Sequence, residues 1–477
     1  MARRHLVARN VRLRRRFSVT VLCAVWVGFA LVMGQSKKNV ADPSYRKEVI
    51  EKISGLLEAR YVIPEEAKAW ADEIRAKNEA GAYAAVTEPA ALAEKITADL
   101  RAITHDQHLW VRLVESTGSG EKAESPLSQS LHFLQLRDRE HAGVFKLDWL
   151  EGRIAYLDIR RFYPPSLAKD ILAGATAALV GADAVVIDLR ENQGGAGEVL
   201  PFLCGAFFRQ PTQLSSWYSR ERDFLQEFWT RREVGGERLA DVPLFLLTGP
   251  KTFSAAEMFA YDMQASRRAM IVGEATRGGA HSVDLFRVDD QFEIYISTGR
   301  AVNPLTGSNW EGVGVLPDVR VAVDEALGKA VELARTAGEE YRRRQDLEFR
   351  AVVAELQPLL DRAERLYREG RPGPAEEALS VFFRTGEKVG LNDEFFIGVL
   401  AYGYSADKED PILYALMRKF VEYFSASSSA WELAAQVYEA GGKIDLALSH
   451  FKKALELDPE NRNAAKMIQR LEKSRVK

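Results

Sequence analysis

The chain of 477 residues is long enough for two or three domains, and its composition, with 47% hydrophobic and 28% charged residues, is that of a globular protein. Its formal net charge is −3, but seven arginines and no acidic residue lie among the first 35 positions, so the remainder is acidic. Nucleic acid is therefore not an expected partner. The chain has only two cysteines, Cys23 and Cys204, which excludes a disulfide framework and a cysteine-based zinc site.

An uncharged apolar run occupies residues 17–34, directly after three arginines. A basic flank followed by an apolar run is typical of a secretory signal peptide or a signal anchor. We therefore expect residues 1–36 to be such a signal and the body to be exported across the cytoplasmic membrane. The body would be periplasmic, or extracytoplasmic and anchored in the membrane by residues 17–34. The run is of borderline length for a hydrocarbon core of about 30 Å, which leaves cleavage open.

Helical patterns follow in residues 37–120, which we expect to form an N-terminal helical domain. Apolar residues recur at helical spacing at Val49, Ile50, Ile53 and Leu57, and a second such pattern covers residues 90–103. Between about 116 and 130 the chain is polar and rich in glycine and serine, which predicts a linker or an excursion of the chain.

Strand and helix patterns alternate in residues 121–325. The predicted strands are residues 153–162, 183–190, 242–249, 270–274 and 292–302, and the predicted helices are residues 167–180, 198–208 and 254–266. This alternation predicts βαβ crossovers and a largely parallel sheet with helices packed against it, which is an α/β fold.

Residues 326–477 show no strand pattern. One tetratricopeptide unit fits the last stretch well, with matches at Trp431, Tyr438, Ala447, Phe451, Ala454 and Pro459. Two earlier helical pairs, around residues 367–382 and 404–420, have compatible spacing but weak matches. Since one unit cannot bury its own face, we expect three imperfect repeats that stack on one another. The alternative is an unrelated all-α cap.

Two segments could carry chemistry, and each is an apolar strand followed by a loop and the start of a helix. They read DAVVIDLRENQGGAG (183–197) and LTGPKTFSAAEMFA (247–260). In a parallel sheet both loops emerge at the carboxyl ends of strands, where open α/β sheets place their sites. Gly194 and Gly195 allow a sharp turn that points amide groups at a ligand, and Ser254 is placed at a helix N-cap. A plain turn and a plain cap are the alternatives.

Other catalytic signatures are missing from the sequence. It contains neither a Gly-x-Ser-x-Gly elbow, nor a His-Glu-x-x-His zinc motif, nor a phosphate-binding Gly-x-x-x-x-Gly-Lys loop. His105 and His108 are too close in sequence for that zinc motif and have no third ligand nearby. We therefore expect neither a metal nor a cofactor.

Four blocks in order, VVIDLRENQGG, TFSAAEMFA, IVGEATRGGAH and GVGVLPDV, carry a family resemblance over about residues 42–322. They resemble the tail-specific (carboxyl-terminal processing) serine peptidases and their relatives, the tricorn proteases and interphotoreceptor retinoid-binding protein. The resemblance implies a crotonase-like core. It also implies a serine-type endopeptidase that acts on peptides or protein tails with Ser254 as nucleophile.

The family divides on how the serine is activated. Tail-specific peptidases place a lysine about 25 residues after the serine, but no lysine lies between Ser254 and Lys329. The chain instead resembles the tricorn-like and retinoid-binding branch at residues 106–109, 278–281 and 310–314.

That branch implies His108 as the base, Glu311 as the residue that orients it, and an oxyanion hole formed by the Ala255 amide with that of Gly194 or Gly195. For His108 a structural histidine, and for Glu311 an ordinary loop carboxylate, are the alternatives. Three further residues are possible cleft-lining groups, with Lys251 a minor alternative base: His281, His105 and Lys251.

The sequence is compatible with two other functions. One is a catalytically inactive relative that binds an apolar ligand or a peptide in the same cleft, and the other is a repeat scaffold for protein–protein interaction. Many tail-specific peptidases insert a peptide-binding PDZ domain before the catalytic core, but only about 30 residues separate Val111 from Val144 here. We therefore expect the C-terminal repeats to select a protein partner.

Overall fold

The structure is a computed structural model that describes residues 39–114, 126–231, 239–390, 393–404 and 411–475. The expected signal in residues 1–36 lies outside the described residues. Within them, no helix is both long and apolar enough to cross a membrane. The chain divides into two compact units. The first comprises Met1–Thr104, Leu109–Ser116 and Leu285–Ile296, and the second comprises His105–His108, Thr117–Asp284 and Ser297–Lys477, in each case as far as they are described.

Helices dominate the first unit, as the sequence predicts. They are α1 (Pro43–Arg60), α2 (Pro64–Glu79) and α3 (Pro89–Thr104), and the strand β1 (Trp110–Leu113) follows them. Each helix starts at a proline, which has no amide hydrogen to lose and a preset φ at this position, and Asp42 caps α1 by accepting a hydrogen bond from the Ser44 amide. The strand β1 pairs antiparallel with the start of β10 (Phe292–Val302).

A six-stranded sheet forms the centre of the second unit. Its strands are β2 (Val144–Leu150), β3 (Ile154–Ile159), β4 (Ala184–Asp188), β7 (Leu244–Thr248), β8 (Met270–Gly273) and β11 (Val319–Arg320). Their order is β11-β8-β7-β4-β3-β2, and every pair is parallel except β2 with β3. All residues of β3, β4 and β7 are buried. The expected largely parallel sheet is confirmed.

Helices α5 (Pro165–Ala177), α6 (Leu200–Gly205) and α7 (Ala255–Ala265) share a hydrophobic core with this sheet. Helix α4 (Pro126–Arg139) precedes β2. The prediction of a linker up to residue 130 was wrong for its last residues, because α4 begins at Pro126. The second unit also contains β5 (Ser216–Ser219), β6 (Phe224–Gln226), the start of β9 (His281–Arg287) and the end of β10. There β5 pairs antiparallel with residues 299–302 of β10 and with β6.

A helix of 43 residues, α8 (Ala326–Arg368), connects the sheet to the C-terminal helices. Its first half places Ala326, Ala330 and Ala334 against apolar residues of the sheet, and its second half buries Leu356 and Leu360 in a separate core. The helices that share this second core are α9 (Pro372–Lys388), α10 (Glu394–Tyr404), α11 (Pro411–Tyr423), α12 (Ser428–Ala440), α13 (Ile444–Leu457) and α14 (Arg462–Arg475). The C-terminal region is therefore helical as expected, while its assignment to tetratricopeptide repeats stays a prediction.

Candidate active site

Ser254 lies in a strained turn between β7 and α7. It is the N-cap residue of α7, as the sequence predicts, and its backbone has φ 54° and ψ −120°. A non-glycine residue in such a region costs of order 1–3 kcal/mol and persists only where its surroundings enforce it. The turn places a half-buried serine at the N-terminus of a helix, where the helix dipole favours negative charge.

Glu257, in the first turn of α7, stabilises the strained backbone at Ser254. Its buried carboxyl group accepts hydrogen bonds from the Ser254 amide (2.8 Å), from the amides of Gly278 (2.6 Å) and Gly279 (2.8 Å), and from the Thr276 hydroxyl (2.5 Å). Burial raises the pKa of Glu257, and these hydrogen bonds oppose that rise. The Ser-x-x-Glu spacing of Ser254 and Glu257 is that of a capping box, which is the one local signal that could have pointed to Glu257.

The Gly194–Gly195 turn lies against Ser254. Both residues have positive φ, 95° and 128°, and a Cβ on Gly194 would lie 2.9 Å from Ser254 Cβ and 3.0 Å from the Ala255 nitrogen. The Gly194 amide donates to Asn192 Oδ1 (2.8 Å), so it already has an acceptor within the protein. Within the described part of the chain, the amides of Gly195 and Ala255 donate to no acceptor. Of the two expected partners for Ala255, Gly195 is thus the one with an available amide.

His108 lies beside the residue that precedes the serine. Its ring stacks on that of Phe253, with 4.5 Å between ring centroids and 29° between planes. A Cβ on Gly279 would overlap both rings, so a larger residue there would displace them. The His108 amide donates to Asp106 Oδ1 (2.8 Å), and its Nδ1 lies 3.9 Å from the same oxygen. His108 is therefore held on two sides, by a ring and by a carboxylate.

Asp106 is a buried carboxylate beside His108 and His281, and no motif in the sequence marks it as a functional residue. Its Oδ2 accepts a hydrogen bond from Ser297 Oγ (2.6 Å) and lies 3.0 Å from His281 Nδ1. Burial alone would raise the pKa of Asp106, but the contacts with His281 and Ser297, together with the nearby His108, lower it to about 2. Asp106 is thus an anion at neutral pH, and it lies beside both His108 and His281.

Glu311 is a second carboxyl group beside the same ring nitrogen of His281. Its Oε2 accepts a hydrogen bond from the Ala280 amide and lies 3.7 Å from His281 Nδ1. Burial, and then the negative charge of Asp106, raise the pKa of Glu311 to about 9. Two neighbouring carboxyl groups therefore carry one negative charge between them at neutral pH, and that charge lies on Asp106.

Asp106, His281 and Glu311 are also of metal-ligand type. Their ligand atoms all lie within 4.8 Å of one another, and this is the one such group among the residues that the structure describes. However, both oxygens of Asp106 already take part in hydrogen bonds with the His108 amide, Ser297 and His281. A metal ion would have to displace that network.

A cavity of about 730 Å³ opens in front of these residues. It brings together five of the residues selected from the sequence: Ser254, Ala255, His108, His281 and Gly195. The rest of its lining includes four large apolar side chains: Trp217, Phe228, Met258 and Trp310. His105 and Lys251 are not part of the described lining, and the Lys251 ammonium group pairs with Glu191 at 2.9 Å.

Two protein-family models match the chain, one over the catalytic-site region and one over the N-terminal helices. Residues 153–321 match the model of peptidase family S41, and residues 43–142 match that of the N-terminal domain of this peptidase family in eukaryotic IRBP.

Two curated relatives are carboxyl-terminal-processing proteases of cyanobacterial strains. That of Picosynechococcus sp. is 28% identical over 209 residues, which cover 44% of this chain and 46% of the relative. That of Synechocystis sp. is 29% identical over 167 residues, which cover 35% and 37%. The chain thus spans less than half the length of these two relatives.

Solved structures show weaker likenesses. The crystal structure of the tricorn protease has a TM-score of 0.39 and 11% identity, with 62% of this chain and 37% of that chain covered. The photosystem II D1 C-terminal processing protease has a TM-score of 0.29 and 20% identity, with 36% and 43% covered.

The protonation of Glu311 can be tested by measuring how the free energy of unfolding depends on pH. The unfolded chain releases this proton near the ordinary pKa of 4.5, whereas the folded protein retains it up to about 9. The folded state is therefore penalised increasingly as the pH rises through this window. We expect the free energy of unfolding of Glu311→Gln, relative to the unsubstituted protein, to increase from pH 5 to pH 9 in denaturant titrations. Glu422→Gln, at an exposed carboxyl group, serves as control, and a pH-independent difference for Glu311→Gln would contradict the assignment.

Proposed function

Because the chain belongs to peptidase family S41, we propose that it is a serine-type endopeptidase that hydrolyses peptide bonds in peptides or protein tails, with Ser254 as its nucleophile. The observation that supports this most is the strained turn at Ser254. It presents the hydroxyl-bearing residue at a helix N-terminus, in a cavity that also contains His108 and Gly195. Strain of this kind at a cavity is typical of functional residues.

The proposed reaction uses His108 as the base. A neutral serine hydroxyl is a weak nucleophile, and an imidazole can take its proton near neutral pH. Ser254 Oγ bonds to the carbonyl carbon while His108 accepts the hydroxyl proton, and the carbonyl electron pair moves onto oxygen. Collapse breaks the C–N bond, and His108 returns the proton to the leaving amine. Water then hydrolyses the acyl-serine ester by the same route.

The oxyanion hole in this proposal consists of the amides of Gly195 and Ala255. Both lie beside Ser254, and neither donates a hydrogen bond elsewhere among the described residues. The Ala255 amide belongs to the first turn of α7, where helical geometry leaves amides without an internal acceptor. Such preset donors stabilise the charge that develops on the carbonyl oxygen.

Two carboxyl groups are candidates for the group that stabilises the imidazolium. The family resemblance implies Glu311. The contacts and charge of Asp106 favour Asp106 instead, with Glu311 as a neutral acid beside it. His281 is the competing base, because it lines the same cavity and contacts Asp106.

Export and partner selection complete the proposal. The basic flank and apolar run of residues 17–34 support an exported body, periplasmic or membrane-anchored. The helical C-terminal region supports a role in binding a protein partner.

The nucleophile can be tested with a fluorophosphonate probe, which reacts with activated serine hydroxyls. We expect the folded protein to be labelled and Ser254→Ala to lose both labelling and peptide hydrolysis, the latter by at least about 10³-fold. Ser266→Ala, at the other end of α7, keeps its labelling and serves as the matched control. If the folded unsubstituted protein is not labelled, the inactive relative that binds an apolar ligand becomes the better account, and the apolar cavity lining would suit it.

The two carboxyl groups can be separated by amide substitution. Asp106→Asn removes the negative charge beside the histidines, so we expect kcat for a peptide substrate to fall by about 10²-fold or more. Glu311→Gln replaces a neutral acid with a neutral amide, so we expect a loss of less than about tenfold at pH 7. The reverse order of the two losses, in variants with unchanged circular dichroism, would assign the role to Glu311.

A further inference from the structure

A second cavity is also lined by the Gly194–Gly195 turn. Its volume is about 710 Å³, and Gly195 lines both this cavity and the one that contains Ser254. Its walls come from the end of α4, the start of β2 and the segment after β3. A peptide whose scissile carbonyl is held at Gly195 therefore has this cavity as the neighbouring space.

Arginines dominate the charge of this second cavity. Arg139, Arg160 and Arg161 line it together with Glu140 and Glu191. Two of these five charges are compensated by residues outside the lining. The Arg160 guanidinium is bound to Asp158 at 3.0 Å, and the Glu191 carboxylate is bound to Lys251 at 2.9 Å.

Arg139 and Arg161 have no such compensation. No salt bridge joins either of them to a carboxylate among the described residues, and both are exposed. The Arg161 guanidinium lies 5.7 Å from the centre of the Tyr163 ring, which carries no charge. Only the Glu140 carboxylate, which accepts a hydrogen bond from the Tyr163 hydroxyl at 2.6 Å, opposes them within the cavity. The cavity therefore has a surplus of positive charge next to the site at which the peptide bond would be cleaved.

The backbone that carries two of these arginines is fixed to the proposed oxyanion turn. The Arg160 amide donates to the Gly143 carbonyl at 2.9 Å, and a Cβ on Gly143 would overlap the carbonyl oxygen of Arg161. The Phe162 amide donates to the Gly194 carbonyl at 2.9 Å. The segment that carries Arg161 is thus hydrogen-bonded to the turn, so the backbone of Arg161 has a defined position relative to Ser254.

We propose that this second cavity binds a carboxylate group of the substrate through Arg139 and Arg161, and so selects peptides that carry negative charge close to the scissile bond. The inference rests on the proposed peptidase function and names a substrate class for it. The planar guanidinium group matches a carboxylate in shape and charge and can form two parallel hydrogen bonds with it. Either an acidic side chain or a free chain terminus supplies this group.

Binding to the full-length Ser254→Ala protein tests the proposal without catalysis, so the test stands even if hydrolysis is never observed. Two pairs of otherwise identical fluorescein-labelled decapeptides are titrated by fluorescence anisotropy. One pair differs in a free or amidated C-terminus, and the other, amidated in both members, differs in an internal Glu or Gln. We expect the acidic member of at least one pair to bind about tenfold more tightly than its neutral counterpart. The pair that shows this preference identifies the source of the carboxylate.

The arginines are then exchanged in the same background. The double substitution Arg139→Gln and Arg161→Gln should abolish the preference, with little change for the neutral peptides. Arg343→Gln, an exposed arginine of α8 outside the cavity, is the charge-matched control and should retain the preference. Equal binding of acidic and neutral peptides, or a preference that survives the double substitution, would overturn the proposal. Loss of the proposed peptidase activity alone would appear as missing fluorophosphonate labelling and would leave this binding result intact.

Discussion

The hydrogen bonds accepted by Glu257 are the constraint on which the candidate site depends. One buried carboxyl group holds the Ser254 amide and the amides of Gly278 and Gly279 at 2.6–2.8 Å. It thereby fixes the strained turn at Ser254 and the loop that leads to His281. This loop is in turn bound to the segment that carries Glu311, because the Gly278 carbonyl accepts a hydrogen bond from the Gly312 amide at 3.0 Å. Three segments far apart in sequence thus share one anchor, and its burial makes an unsatisfied oxygen there costly.

The charges of the site follow from the same burial. Asp106 and Glu311 both lie near Nδ1 of His281, and two carboxylates this close in a buried site cannot both ionise without a large penalty. The contacts of Asp106 decide which group keeps the proton, since His281 first and then Ser297 stabilise its anion. A single negative charge beside two imidazoles is compatible with proton transfer from a serine. It also makes Glu311 a neutral group that positions the Ala280 amide.

The sequence predicted those parts of the site whose signal is local. The β-branched run of β4, the Gly194–Gly195 turn and the N-cap position of Ser254 each leave a pattern within a few residues. Asp106 and Glu257 were missed as functional residues because their roles depend on partners such as Ser297 and Gly278, which only the folded chain brings near. The strand β2 was missed for another reason, since its apolar side chains at the sheet edge remain largely exposed and show no buried run.

A crystal structure of the full-length protein after reaction with a fluorophosphonate tests the central claim most directly. The account predicts a phosphorus–oxygen bond to Ser254 Oγ and a phosphonyl oxygen about 2.7–3.1 Å from the amide nitrogens of Gly195 and Ala255. It also predicts that the His108 ring remains stacked on Phe253 beside the adduct. A phosphonyl oxygen that faces away from both amides, or an adduct on another residue, would contradict the account.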